Sequence, residues 1–297
     1  MTKKKSNSAP EILGVDTATL DALVSGHFAD PHSVLGPHLH DGGVTVRVLR
    51  PMAEEVVVTV GDQRFDLAHE HAGVFVGALP FAEVPDYRLD VTYSGTTVPT
   101  DDPFRFLPTL GEMDLHLVGE GRHEQLWQVL GAHVHTYETL TGPVTGTSFA
   151  VWAPAALGVR VVGDFNYWDG LGHPMRSLGS SGVWELFIPD VGDGTRYKYQ
   201  VLGRDGVWRL KADPMAFATE MPPSTASVVH TSRYDWGDAQ WRETAAERAA
   251  NAVYDFLVDL LEVERAANRI ELLGTPETAA AFFKRLERYF LDRGITP

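Results

Sequence analysis

Two kinds of side-chain pairing in this chain could do chemistry on spacing alone. Glu54-Glu55 and Asp101-Asp102 are adjacent carboxylates, the raw material of an acid/base pair. His38/His40, His69/His71 and His133/His135 have the spacing that puts two rings on one face of a strand, where a metal could bind. Neither pattern carries far. Each carboxylate pair lies at a turn or strand edge, where a solvated surface is the expectation, and no third ligand accompanies a histidine pair. No catalytic residue and no metal site is therefore expected. A glycine-rich phosphate loop and a nucleophile elbow are both absent from the sequence, and no cofactor is implied. The chain has no cysteine, which excludes disulfides and thiolate metal sites and fits a reducing compartment.

A different chemistry is available to aromatic side chains that the core does not claim. Gly163-Asp164-Phe165-Asn166-Tyr167-Trp168-Asp169-Gly170 places Trp168 in a loop flanked by Gly and Asn, where a large ring has no evident core to enter. Lys198 alternates with Tyr197 and Tyr199, so it faces the opposite side of its strand. Trp208 follows the turn signal Asp205-Gly206 at a strand end. Exposed aromatic planes with a few polar groups suit a ligand that has an apolar face and a hydroxyl rim, as a sugar ring does. The alternative is burial of Trp168 and Trp208 between the domains or against the C-terminal helices. Trp152 and Trp184 lie on alternating strands and are expected in the core.

The elements that must position these residues are legible from periodicity. Ile12 to Phe28 has Leu13, Leu20, Leu23 and Val24 at helical spacing, with Asp16 or Thr17 as a cap. From Val44 the period becomes two: strands are predicted at Val44–Leu49, Val56–Val60, Arg64–Leu67, Val74–Val76 and Tyr87–Tyr93, with Gly, Pro and Asp between them. The pattern then recurs in order. Val44 to Pro51 resembles Thr147 to Pro154, and Gly73-Val74-Phe75 resembles Gly182-Val183-Trp184. Asp86 to Val91 resembles Thr195 to Val201, and Asp102 to Phe106 resembles Asp213 to Phe217. Four matches in register imply tandem duplication of one sandwich. Past Trp241 the composition turns to Ala, Glu, Arg and Leu. Apolar stripes at Phe256–Val263 and Phe282–Phe290, broken at Gly274, predict a helical hairpin. The expected architecture is mainly β: a disordered tail over 1–17, immunoglobulin-like β-sandwiches over 18–115 and 116–241, and a C-terminal α-helical hairpin over 242–297.

Among the 297 residues the formal net charge is −15, which disfavours nucleic acid, a partner that needs clustered Lys and Arg. Lys3, Lys4 and Lys5 are not followed by an apolar stretch, and no run is long enough to cross a bilayer, so neither a secretory leader nor a membrane is expected. A cytoplasmic location is the expectation.

The segment Gly163 to Gly170, followed by His173-Pro174-Met175, resembles the glycogen-binding family 48 modules, and most of all the copy that precedes the barrel in bacterial 1,4-α-glucan branching enzymes. Lys211 to Phe217 and Pro222 to Ser227 extend the likeness. Asp30-Pro31-His32-Ser33-Val34-Leu35-Gly36-Pro37-His38 resembles the additional N-terminal module of the longer members. The likeness covers about residues 18–241. It implies that Trp168 and Trp208 stack on glucose rings and that Lys198 bonds their hydroxyls, with Asn166 as a further contact. The first copy lacks both tryptophans and has Arg88 where Lys198 stands, so weak or no glucan binding is expected there. A branching enzyme also needs two carboxylates on a barrel of about 250 residues. The residues after Trp241 are too few for one and show none of its strand-end motifs. The resemblance thus implies a non-catalytic module that binds or targets an α-1,4-glucan such as glycogen or a maltooligosaccharide. Two alternatives stay open: a truncated or split branching-enzyme subunit acting in glycogen biosynthesis with a separate barrel, and a protein-interaction module that has lost sugar binding. In each, the helical tail could dock a protein partner or a second copy.

Overall fold

The computed structural model describes residues 11–235, 237–245 and the single positions 248, 284 and 288. The chain divides into two units, Met1–Thr231 and Ser232–Pro297. The first unit opens with α1 (Thr17–Ser25), where the Asp16 carboxylate accepts from Thr19 N–H at 2.8 Å as the N-cap and Gly26 ends the helix at φ 76°.

Seven antiparallel strands follow: β1 (Gly36–His40), β2 (Gly43–Leu49), β3 (Glu55–Val60), β4 (Gln63–His71), β5 (Val74–Leu79), β6 (Arg88–Tyr93) and β7 (Thr96–Thr100). Their spatial order is β1-β2-β5-β4-β3-β6-β7. The alternation in sequence sets which side chains meet: Val44, Val46 and Val48 of β2 pack with Val56, Val58, Phe75, Leu89 and Val91. On β2 the opposite face is buried as well, which alternation alone does not predict. The segment before α1 covers it. Leu13 N–H donates to Thr45 Oγ1 at 2.8 Å, and the Arg47 guanidinium donates to Leu13 O at 2.5 Å and to Glu70 at 2.7 Å. Arg47 is fully buried, so removing Glu70 would strand a charge, at a cost of about 3–5 kcal/mol.

The second set comprises α2 (Glu112–Gly119), β8 (Gly131–Thr139), β9 (Gly142–Trp152), β10 (Gly158–Gly163), β11 (Arg176–Ser177), β12 (Val183–Pro189), β13 (Arg196–Leu202), β14 (Trp208–Lys211), β15 (Ala218–Thr219) and β16 (Ser227–Val228). One sheet has the order β11-β12-β9-β8. The other is β10-β13-β16-β15, with β14 also on β13. The molecule is mainly β, as expected.

The repeat read from sequence is built into matching contacts. Tyr87 O–H donates to Asp102 at 2.7 Å while Phe104 N–H caps the same carboxylate at 3.0 Å. Tyr197 O–H donates to Asp213 at 2.5 Å while Met215 N–H caps it at 2.8 Å. Arg50 N–H donates to Gly73 O, and Ala153 N–H to Gly182 O, both at 2.8 Å. The glycines are required: φ is 84° and 74°, and a Cβ would meet Pro51 in one copy and Pro154 in the other.

The copies differ at one place. In the first, β4 joins β3 and β5 and pairs with both, linking the layers into a single sheet. In the second, the matching stretch is a loop, Asp164–Met175, with only the two-residue β11 after it, and the two sheets stay separate. That loop is where Trp168 lies.

Helix α1 holds the two copies together. Leu20 and Leu23 enter one core with Leu49, Val74 and Phe104 from the first set and Phe149, Trp184, Tyr197 and Tyr199 from the second. Asp21 meets His71 at 2.8 Å, and Ser177 N–H donates to Ala29 O at 2.7 Å.

In the unit Ser232–Pro297, α3 (Ala239–Glu243) is described. The predicted hairpin beyond it, with its Phe256–Val263 and Phe282–Phe290 faces, lies outside the described residues.

Candidate functional site

Strand alternation defines the face on which the candidate residues gather. Tyr197 and Tyr199 are wholly buried, so Lys198 and Gln200 point outward. Directly opposite them on β10 are Val162 and Arg160, and on β14 Leu210 pairs with Gln200 while Trp208 pairs with Leu202. Lys198, Gln200, Arg160 and Trp208 thus share the outer face of one sheet. Lys198 and Trp208 lie about 13 Å apart along it, at about 3.3 Å per residue.

The loop Asp164–Met175 folds over this face. A Cβ on Gly170 would stand 2.9 Å from Arg160 Cβ and 3.0 Å from both Gln200 and Val162, so only glycine lets the loop lie this close. Asn166 locks the turn. Its Oδ1 accepts from Gly163 N–H at 2.9 Å, and its Nδ2 donates to Val161 O at 3.0 Å and contacts His173 Nδ1 at 3.1 Å. His173 is buried, which pushes it down to about 3 and keeps the ring neutral and able to accept. Asp164 fixes the other side by holding Arg196 at 2.9 Å, and that hydrogen bond, joined by one from Trp168, holds its carboxyl below the usual range.

This lock holds two consecutive non-glycine residues in the left-handed region, Tyr167 at φ 52° and Trp168 at φ 64°. Each costs about 1–3 kcal/mol, and such strain persists only where the surroundings fix it. Trp168 is 37% exposed and Tyr167 is 95% exposed. Lys198 Nζ donates to Thr225 Oγ1 at 2.7 Å, and the backbone sets Lys198 at the loop end of the sheet: Trp168 N–H donates to Gly163 O, and Gly163 pairs with Tyr197, the residue before Lys198.

Trp208 lies at the other end of the face and is half-buried. The Arg160 guanidinium sits 4.3 Å from its ring centroid, a cation–π contact that occupies one side of the indole. Arg160 in turn packs beneath Gly26 at the C-terminus of α1, where its charge meets the negative end of the helix. The structure therefore brings Trp168, Asn166 and Lys198 to one end of the face and sets Trp208 apart, under Arg160.

Other expectations meet a mixed outcome. Trp184 is buried, but Trp152 is 56% exposed, because its position at the end of β9 lets the ring lie outside with its N–H on Ser181 O at 3.1 Å. Asp101 and Asp102 are buried rather than solvated. Asp102 holds Tyr87, and Asp101 faces Arg105 at 3.1 Å and Arg88 at 3.4 Å, so neither is free for acid/base work. Arg88, at the position matching Lys198, is thus tied to a carboxylate. His40 bonds Thr45 and His71 meets Asp21. Among the described residues no group of three or more His, Asp and Glu side chains could hold a metal. The sequence reading gave no separate role to Tyr167, Arg160 or Thr225, which the structure sets next to Trp168, Trp208 and Lys198 respectively. The Asn-Tyr-Trp run marks a turn, but its backbone sign is set by the Asn166 lock, which sequence does not reveal.

Residues 16–104 match the family model described as alpha-1,4-glucan branching enzyme GlgB, N-terminal domain, and residues 129–216 match Carbohydrate-binding module 48 (Isoamylase N-terminal domain). The chain is 53% identical over 283 residues to 1,4-alpha-glucan branching enzyme GlgB 2 of Streptomyces coelicolor, covering 95% of this chain and 37% of that protein. It is 60% identical over 248 residues to 1,4-alpha-glucan branching enzyme GlgB of Thermobifida fusca, covering 83% of this chain and 33% of that protein. The chain thus spans about a third of the length of these relatives. No helix among the described residues is long and apolar enough to cross a membrane.

Proposed function

With the chain homologous to the N-terminal region of the 1,4-alpha-glucan branching enzymes, we propose that its second module binds an α-1,4-glucan, glycogen or a maltooligosaccharide, without itself carrying catalysis. The observation that carries this is Trp168: a large ring, partly exposed, held in a strained backbone by a loop whose own polar groups are satisfied internally. Strain and exposure of an aromatic both disfavour the free protein, and a sugar ring stacked on the indole offsets the second. Lys198 and Thr225 supply donors and an acceptor for hydroxyls beside it. Trp208 has one side occupied by Arg160 and contributes through its remaining surface. Asn166 acts mainly by positioning the loop, since three of the four hydrogen bonds its amide can make are used within it.

The homology to branching enzymes supports a more specific context, in which these modules bring glucan to a barrel that makes branches during glycogen synthesis. Within the described residues there are sandwiches and no α/β barrel. In the first module, β4 replaces the loop and Arg88 is held by Asp101, which supports assigning glucan binding to the second module only.

Co-sedimentation with glycogen tests the proposal. Wild type is expected to pellet with the polymer, and Trp168→Ala to weaken binding by about 1–3 kcal/mol, the scale of one aromatic truncation. Wild-type affinity in a folded Trp168→Ala variant would remove this loop from the site.

A further inference from the structure

Resting on that reading, we infer that Tyr167 is a second sugar-contacting ring, packing on the glucose unit next to the one on Trp168. Three observations converge on it. Tyr167 has φ 52° and is followed by another left-handed residue, an arrangement in which glycine or asparagine would be less strained. The lock beneath it is complete: Asn166, Asp164 and the Trp168 N–H to Gly163 O bond at 3.0 Å leave the turn no way to relax. The product of that strain is a tyrosine ring 95% exposed, standing in water beside Trp168. The backbone strain secures no packing for Tyr167 within the module, so its use lies outside the module.

The ligand that fits is the glucan chain. With its backbone already set, a tyrosine has only two side-chain torsions to order when a partner lands on it, and its apolar face suits the C–H face of a pyranose as Trp168 does. Two adjacent rings at one loop tip would contact successive units of an oligosaccharide and discriminate chains from single glucose.

Calorimetric titration of the full chain with maltoheptaose tests this, using Tyr167→Ala, Tyr167→Phe, Tyr167→Gly and Trp168→Ala. Tyr167→Ala is expected to weaken binding about three- to tenfold, the scale of one aromatic contact, and Tyr167→Phe to stay within about twofold of wild type. Tyr167→Gly is expected to lose affinity like Tyr167→Ala while raising Tm, because glycine relieves the strain. A residue with only a structural role would not combine weaker binding with greater stability. Wild-type affinity in Tyr167→Ala and Tyr167→Gly, with binding lost in Trp168→Ala, would overturn the inference and leave the glucan site standing. Wild-type affinity in all the variants would move the site away from this loop, and failure of wild type to bind maltoheptaose would overturn both readings.

Discussion

Among individual residues, the sequence singles out Trp168 and Lys198 as candidates but does not reveal what each one touches. Asn166 is instructive. Its type and place suggest a sugar ligand, yet its amide faces Gly163, Val161 and His173, and the loop's shape depends on it. Arg160 sits in an apolar strand context, and its stacking on Trp208 arises only when β10 and β14 flank β13. His173 and His32 give a prediction at this scale. Burial holds both near 3, whereas an unfolded histidine titrates near the usual 6.5. The unfolded chain therefore binds more protons below 6.5, so stability is full above that pH and falls as pH drops toward 3. Each histidine should remove about 2 kcal/mol between pH 7 and pH 5. Urea unfolding at the two pH values should show the loss, and a His173→Phe variant, which has no ring to protonate, should show a smaller one.

Among elements, periodicity made five of the first seven strands legible, all but β1 and β7. β2, β3, β5 and β6 follow the alternation of Val44 to Tyr93, and the cap at Asp16 correctly marked α1. Burial of Thr45 and Arg47 was not legible, because the covering segment at Leu13 lies 32 residues away in sequence from Thr45. Nor was the effect of β4: its alternation marks a strand, while its pairing to both neighbours is a long-range choice. That choice separates a first copy whose layers are joined by a strand from a second copy with a loop free to present an aromatic tip. The seating of α1 on β10 gives the prediction here. A Cβ on Gly158 would overlap the Gly26 carbonyl and crowd the Trp208 ring. Gly158→Ala should destabilise by about 1–3 kcal/mol, the range for overpacking. Gly172→Ala is the control, since its Cβ would meet Pro51 at an ordinary 3.5 Å and Tm should not move. Equal melting temperatures for the two variants would contradict the close seating of α1.

In the unit Met1–Thr231, the copies share a core through α1, so the face of β10, β13 and β14 proposed to take glucan is held in a fixed relation to the first copy. The duplication was visible in four sequence matches, and the paired Tyr–Asp locks explain why those positions are alike: each ties the turn that begins at Asp102 or Asp213 to the start of β6 or β13. The net charge of −15 suits a neutral polymer better than a polyanion.

The most direct measurement is the set of indole N–H resonances from the seven tryptophans, followed by NMR as a maltooligosaccharide is added. The Trp168 signal should move first and furthest, Trp208 less, and buried Trp184 not at all. A titration that leaves Trp168 unmoved while Trp152 or another exposed indole shifts would contradict the central claim.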